Sequence, residues 1–186
     1  MAGKNVQHAF AYDDLREWIA EADKLGEMRY LDGMSWEKDI GMVTEMLHHT
    51  DPAPCALFDK VPGCPDGFRV LTNFFGGKRR GMTIGFPSDM SKLELTDGLA
   101  EITETKKPIP HKIVETGPIM ENVITGDDID MYKYPTPKWH EEDGGNYIGT
   151  ECMIIMKDPD SDWVNIGTYR VMVVDDKRLT VFIEPG

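Results

Sequence analysis

The 186-residue sequence has 33 acidic side chains against 20 lysines and arginines. The resulting net charge of −13 opposes general attraction to nucleic acid or to an anionic membrane surface. Apolar residues make up 40% and charged residues 28%, a balance that excludes a disordered chain and fits one large domain or two small ones around a real core.

Three cysteines, Cys55, Cys64 and Cys152, form no CxxC or other metal-ligand spacing, and their odd number argues against a disulfide framework. A reducing, cytoplasmic setting is therefore expected. No apolar run has the length of a signal peptide or a membrane span.

The first helix is expected after Asp13 and Asp14, which supply an N-cap and first-turn negative charge. Leu15, Trp18, Ile19, Ala22 and Leu25 recur at helical spacing, and Gly26 is a natural stop. A second helix is expected over 36–49, with Ile40, Val43, Met46 and Leu47 inward. His48 and His49 suit its C-terminal dipole better than a metal, having no partner at ligand spacing.

Residues 56–58 and 68–75 read as strands separated by the turn-rich 62–67. The glycine-rich basic run Gly76-Gly77-Lys78-Arg79-Arg80-Gly81 has the composition of a phosphate cradle but not the P-loop spacing, and a solvated loop is the better expectation. A third helix is expected over 90–105, with Leu93, Leu95, Leu99 and Ile102 apolar.

From Pro108 the texture changes. Pro110, Pro118, Pro135 and Pro137 break the chain into extended pieces, which places a domain boundary near 108–125. Asp127, Asp128 and Asp130 lack the spacing and closing glutamate of an EF-hand and read as a helix start or polar turn. Three β-type segments follow at 147–157, 163–174 and 178–184, joined by short polar turns as an antiparallel meander. An N-terminal α/β domain over 1–120 and a β unit over 121–186 are expected, an α+β chain.

The middle segment of the meander is the most unusual. Trp163-Val164-Asn165-Ile166-Gly167-Thr168-Tyr169-Arg170-Val171 sets an amide and a guanidinium into an apolar strand, and neither is buried cheaply without a partner. Asn165 and Arg170 are five apart, so a regular strand points them to opposite faces. A bend at Gly167 would let both serve one anion or cofactor. The bland alternative is an edge strand with a solvated arginine.

Taken together, Asp143-Gly144-Gly145-Asn146-Tyr147-Ile148-Gly149-Thr150, Asp158-Pro159-Asp160, Asn165-Ile166-Gly167-Thr168-Tyr169-Arg170 and the run from Leu179 to Pro185-Gly186 resemble the UbiD family of decarboxylases. Leu25-Gly26-Glu27-Met28 and Asn73-Phe74-Phe75-Gly76-Gly77 are similar to that family's N-terminal domain, so the resemblance covers nearly the whole chain.

The resemblance implies an N-terminal α/β domain followed by the beginning of a split β-barrel flavin-binding domain. It implies prenylated FMN, a divalent metal (Mn2+ or Mg2+) and often K+. The implied reaction is reversible decarboxylation of an aromatic or α,β-unsaturated carboxylic acid. Asn165 is implied as the metal ligand, and Thr150, Thr168, Tyr169, Arg170, Phe182, Ile183 and Glu184 as cofactor contacts. Arg170 is further implied as the catalytic arginine beside the reacting carboxylate.

These residue types suit that chemistry. An amide oxygen is a hard ligand fit for magnesium or manganese, and a forked, permanently charged guanidinium can orient a carboxylate. The resemblance also implies that the histidine and glutamate metal ligands and the acids that deliver the proton lie beyond Gly186. The expectation is thus the N-terminal portion of a family member, whose activity belongs to the complete protein and which pairs with itself or a complementing chain. The alternatives are a non-catalytic flavin- or partner-binding module, or a plain flavin oxidoreductase.

Overall fold

In the computed structural model, which describes residues 8–110 and 112–183, helices end and begin where side chains can satisfy their open backbone groups. The first helix, α1 (Leu15–Lys24), is capped by Asp14, whose carboxylate accepts from Arg16 N and Glu17 N. The longest, α4 (Lys92–Thr105), opens with a reciprocal box in which Ser91 accepts from Glu94 N and the Glu94 carboxylate takes Ser91 N. Between them come β1 (Met28–Asp32), α2 (Asp39–His48), β2 (Cys55–Asp59), β3 (Val70–Thr72) and the short α3 (Arg79–Thr83). Three 3-10 turns, at Pro118–Met120, Gly126–Asp128 and Met131–Lys133, carry the chain through its proline-rich middle. The antiparallel strands β4 (Tyr147–Lys157), β5 (Val164–Val173) and β6 (Leu179–Val181) follow. The fold is α+β with two three-stranded sheets, ordered β1–β2–β3 and β4–β5–β6.

The described chain divides into two compact units. One draws on Met1–Arg29, His48–Ala56 and Thr72–Val123, and the other on Tyr30–Leu47, Leu57–Leu71 and Ile124–Gly186. In the first, Trp18 and Ala22 are the buried face of α1, and the Trp18 indole donates to Thr83 Oγ1 at 3.0 Å. Gly98 lets α4 close on buried Phe86, whose ring lies 2.9 Å from where a Cβ would stand.

This unit also holds an ion pair away from water. Arg79 is 0% exposed and donates Nη1 to Glu27 Oε2 at 2.6 Å and Nη2 to the carbonyls of Ala53 and Asn73, each at 2.8 Å. Glu27 also accepts from Lys78 N at 3.2 Å.

In the second unit Ile40 and Phe58 are wholly buried, with Leu57, Val61, Val171 and Val173 close to it. Each such side chain contributes about 1.5–3 kcal/mol on removal from water. Gly41 of α2 lies directly against the Trp139 backbone carbonyl, and Lys138 N donates to Trp36 O at 3.0 Å. These contacts tie the 136–139 segment to the helix.

Several expectations need correction. The strand expected over 68–75 is only Val70–Thr72, because Asn73 turns into the left-handed region at φ 54 and leaves Phe74 and Phe75 exposed. β1 was not anticipated; five residues with two charges give too little alternation to read. The second helix begins at Asp39 rather than 36, and Met46 points outward, as do Leu93 and Leu99 of α4. The basic run 76–81 is not a solvated loop: its second half is α3, and Arg79 is interior.

Candidate functional site

The residues singled out in the sequence gather on β4 and β5, whose ladder runs from Tyr147↔Met172 to Lys157↔Val164. Between the pairs Gly149↔Val171 and Cys152↔Tyr169, two residues of β4, Thr150 and Glu151, oppose the single Arg170. The irregularity is therefore a bulge in β4 beside Arg170, and not a bend at Gly167.

Consequently β5 alternates without interruption. Asn165, Gly167, Tyr169, Val171 and Val173 occupy its more protected face, while Val164, Ile166, Thr168 and Arg170 are exposed on the other. The conditional sequence argument, that a bend would unite the amide and guanidinium on one face, is not realised.

The exposed face is an apolar strip with a cationic end. Ile155 faces Ile166 across the ladder and Met153 faces Thr168, and these apolar side chains are 61–66% exposed. Thr150 and Arg170 stand at the bulged end. Among the described residues the Arg170 guanidinium has no ion-pair or hydrogen-bond partner.

The protected face is occupied differently. The Tyr169 ring folds back along the strand over Gly167, where a Cβ would lie 2.6 Å from Tyr169 Oη, and its hydroxyl accepts from Asn165 Nδ2 at 3.3 Å.

The outer edge of β5 joins the two faces. β6 pairs only with Val171, Met172 and Val173. From Val164 to Arg170 the edge away from β4 carries no strand among the described residues. A group lying along that edge meets backbone polar atoms and reaches side chains of both faces, including Asn165 and Arg170. Beyond Val181↔Val171 the chain leaves β6 with Phe182 and Ile183 exposed, next in line toward Arg170 and Tyr169. Glu184 lies outside the described residues.

Local turns hold this sheet in shape. In the β5–β6 turn Arg178 Nε donates to Asp175 Oδ2 at 2.7 Å, and this contact holds the Asp175 carboxyl below its ordinary pKa. Val173 N donates to Asn146 O and Tyr147 N to Pro137 O, bracing the start of β4.

The other candidate anion site, the basic run 76–81, already holds an anion. A Cβ on Gly77 would lie 2.7–2.9 Å from the Glu27 carboxylate oxygens, so the cradle read in the sequence is filled by the chain's own Glu27. Sequence reasoning missed two features here: the bulge at Thr150–Glu151 and the Tyr169 ring over Gly167. The Asn-x-Gly-x-Tyr alternation is a signal for the second, since it puts amide, glycine and phenol on one face.

Comparison with known proteins identifies the family. Residues 112–186 match the UbiD family, described as the 3-octaprenyl-4-hydroxybenzoate carboxy-lyase Rift-related domain. Ferulic acid decarboxylase 1 of Saccharomyces cerevisiae is 35% identical over 170 residues, a match covering 90% of this chain and 33% of the yeast protein. The closed form of Sedimentibacter hydroxybenzoicus vanillic acid decarboxylase superposes with a TM-score of 0.82 at 27% identity, over 93% of this chain and 37% of that one. An evolved dimeric form of the UbiD-class enzyme HmfF from Pelotomaculum thermopropionicum, in complex with prFMN, gives 0.74 at 26% identity over 96% and 39%. The chain belongs to the UbiD family. It spans about a third of the length of the curated relatives it matches.

Proposed function

We propose that this chain is part of a UbiD-type carboxy-lyase that reversibly removes CO2 from an aromatic or α,β-unsaturated carboxylic acid with prenylated FMN. The observation that carries the reading is the edge of β5 from Val164 to Arg170, which among the described residues carries no strand and has a guanidinium without a partner on one side and an amide on the other. A planar ring system with an anionic tail fits an apolar strip that ends in such groups. The relatives' names supply the reaction class, and the HmfF complex supplies the cofactor by analogy.

The fit to the metal is partial. Among the described residues no group of three His, Cys, Asp or Glu could hold an ion, and the donor proposed from this chain is Asn165 Oδ1. Asn165 would hold a Mn2+ or Mg2+ ion together with groups from elsewhere in the assembly, and the ion would offset phosphate charge on the cofactor, with K+ as a further proposed ion.

When bound, prenylated FMN supplies the electron sink for the carbanion left by CO2. The chain's own residues bind and orient. Arg170 holds the substrate carboxylate through its fork before the carbon–carbon bond breaks. Thr150 and Thr168 line the same face, Tyr169 stands on the other, Phe182 and Ile183 approach from the end of β6, and Glu184 is a further proposed cofactor contact. Residues 121–186 form the beginning of the split barrel, after an α/β domain over 1–120; the family match from residue 112 supports a boundary in that region. The protein works in the cytoplasm, as a homo-oligomer or with a complementing chain.

A second reading has its own support. Among the described residues no cluster of His, Cys, Asp or Glu accompanies Asn165, so this chain by itself behaves as a flavin- or partner-binding module, and turnover belongs to the completed assembly.

The test is reconstitution of that assembly with prenylated FMN and Mn2+. Asn165→Ala should lower retained cofactor and metal. Arg170→Ala should retain cofactor but lower the decarboxylation rate by at least about 100-fold, the scale of losing an orienting charge in the transition state. Arg170→Lys should not restore the rate, because a point charge lacks the planar fork. Normal turnover of Arg170→Ala would overturn the assignment.

A further inference from the structure

Asn165 and Tyr169 are four residues apart on one face of β5, beyond the reach of ordinary neighbouring side chains on a strand. They meet because Gly167 lies between them. A Cβ there would stand 2.6–2.8 Å from the Tyr169 Cε2, Oη and Cζ atoms, so only glycine lets the ring lie along the strand. The ring's hydroxyl then takes one N–H of the Asn165 amide at 3.3 Å. An amide has two ends of opposite character. A partner that accepts from Nδ2 fixes which way the group faces and leaves Oδ1 as an oriented acceptor.

We infer that Tyr169, seated over Gly167, is a positioning residue that sets the Asn165 amide with its oxygen free to bind a cation. The inference rests on the proposed role of Asn165 as the metal-facing ligand and adds a cause for its orientation. It explains why a hydroxylated ring, a glycine and an amide alternate along β5: each is needed for the other two to work. Partners that orient a ligand in this way matter to affinity, and losing one costs about 10–100-fold in metal binding. The contact here is long, which places the expected effect near about tenfold, the lower end of that range.

The experiment uses the reconstituted assembly in which only the 186-residue chain is 15N-labelled, with FMN present and Mn2+ added stepwise. Paramagnetic broadening of the Asn165 side-chain NH2 pair reports the ion. The chemical shift and exchange rate of that pair before Mn2+ is added report the hydrogen bond. In Tyr169→Phe, which keeps the ring and removes the hydroxyl, the NH2 pair should shift and exchange faster. About tenfold more Mn2+ should then be needed for the same broadening. Gly167→Ala should give the same result by displacing the ring, with Asn165 itself intact. Unchanged shift, exchange and broadening in Tyr169→Phe would overturn the positioning role. If the wild-type pair is not broadened selectively, the ligand role of Asn165 falls and the orienting role toward a cation falls with it. A shift change in Tyr169→Phe would then establish only that the two side chains meet.

Discussion

Arg79 and Arg170 are both arginines set among apolar residues, and the chain treats them in opposite ways. Arg79 is 0% exposed and spends its Nη donors on Glu27 and two backbone carbonyls. Arg170 is exposed at the end of an apolar strip, with no partner among the described residues. The first guanidinium is consumed by the fold, while the second is left available. A basic residue in a suggestive motif is therefore weak evidence of ligand binding until its donors have been accounted for.

The largest effect should come from breaking the buried, ion-paired arginine. Arg79→Met leaves the Glu27 carboxylate buried without its counter-charge and removes the Nη2 donor from the Ala53 and Asn73 carbonyls. The broken ion pair alone should cost about 3–5 kcal/mol in urea denaturation. A loss below about 1 kcal/mol would show that Glu27 finds another partner and that the cradle is not what holds the unit. Gly77→Ala attacks the same cradle from its other wall. Gly77 has φ 51, and its new Cβ would meet Glu27 Oε2 at 2.7 Å, so a loss of about 1–3 kcal/mol is expected in the same measurement.

Cys55, whose N–H donates to Glu27 O, offers a pH test of how dry this region is. Burial pushes its thiol up to about 11, although Arg79 opposes the shift. The unfolded chain loses this proton near pH 9, whereas the folded chain keeps it to about pH 11. The associated stability is thus complete below pH 9 and is lost as pH rises toward 11. The slope should be at most about 1.4 kcal/mol per pH unit, and Cys55→Ala should flatten it. An unchanged slope in that variant would mean that the thiol is not sequestered.

The smallest effect on stability is reserved for the other arginine. Arg170→Ala should leave the stability measured by urea denaturation within about 0.5 kcal/mol of wild type, the usual range for an exposed side chain without a hydrogen bond or ion pair among the described residues. A larger loss would place Arg170 with Arg79 among the structural residues and undo the contrast.

Much of the fold was legible because its signals are local. The α1 cap, the presence of α4 and the three strands β4, β5 and β6 follow from spacing and turn chemistry within windows of a dozen residues. The ordered Gly-Gly-x-Tyr-Ile and Asn-x-Gly-x-Tyr-Arg blocks carried the family, and the alternation of β5 already put Asn165 and Arg170 on opposite faces. The tertiary structure alone decided what fills each cradle. Glu27 is 52 positions from Arg79, and nothing near 76–81 announces that an internal carboxylate will occupy it. The bulge opposite Arg170 depends on how two strands come into register, and the open edge of β5 on where β6 stops pairing. Residue type and spacing fix which groups a strand carries and on which face. Whether a charge is spent inside the molecule or presented to a ligand depends on distant groups, and only folding brings those to it.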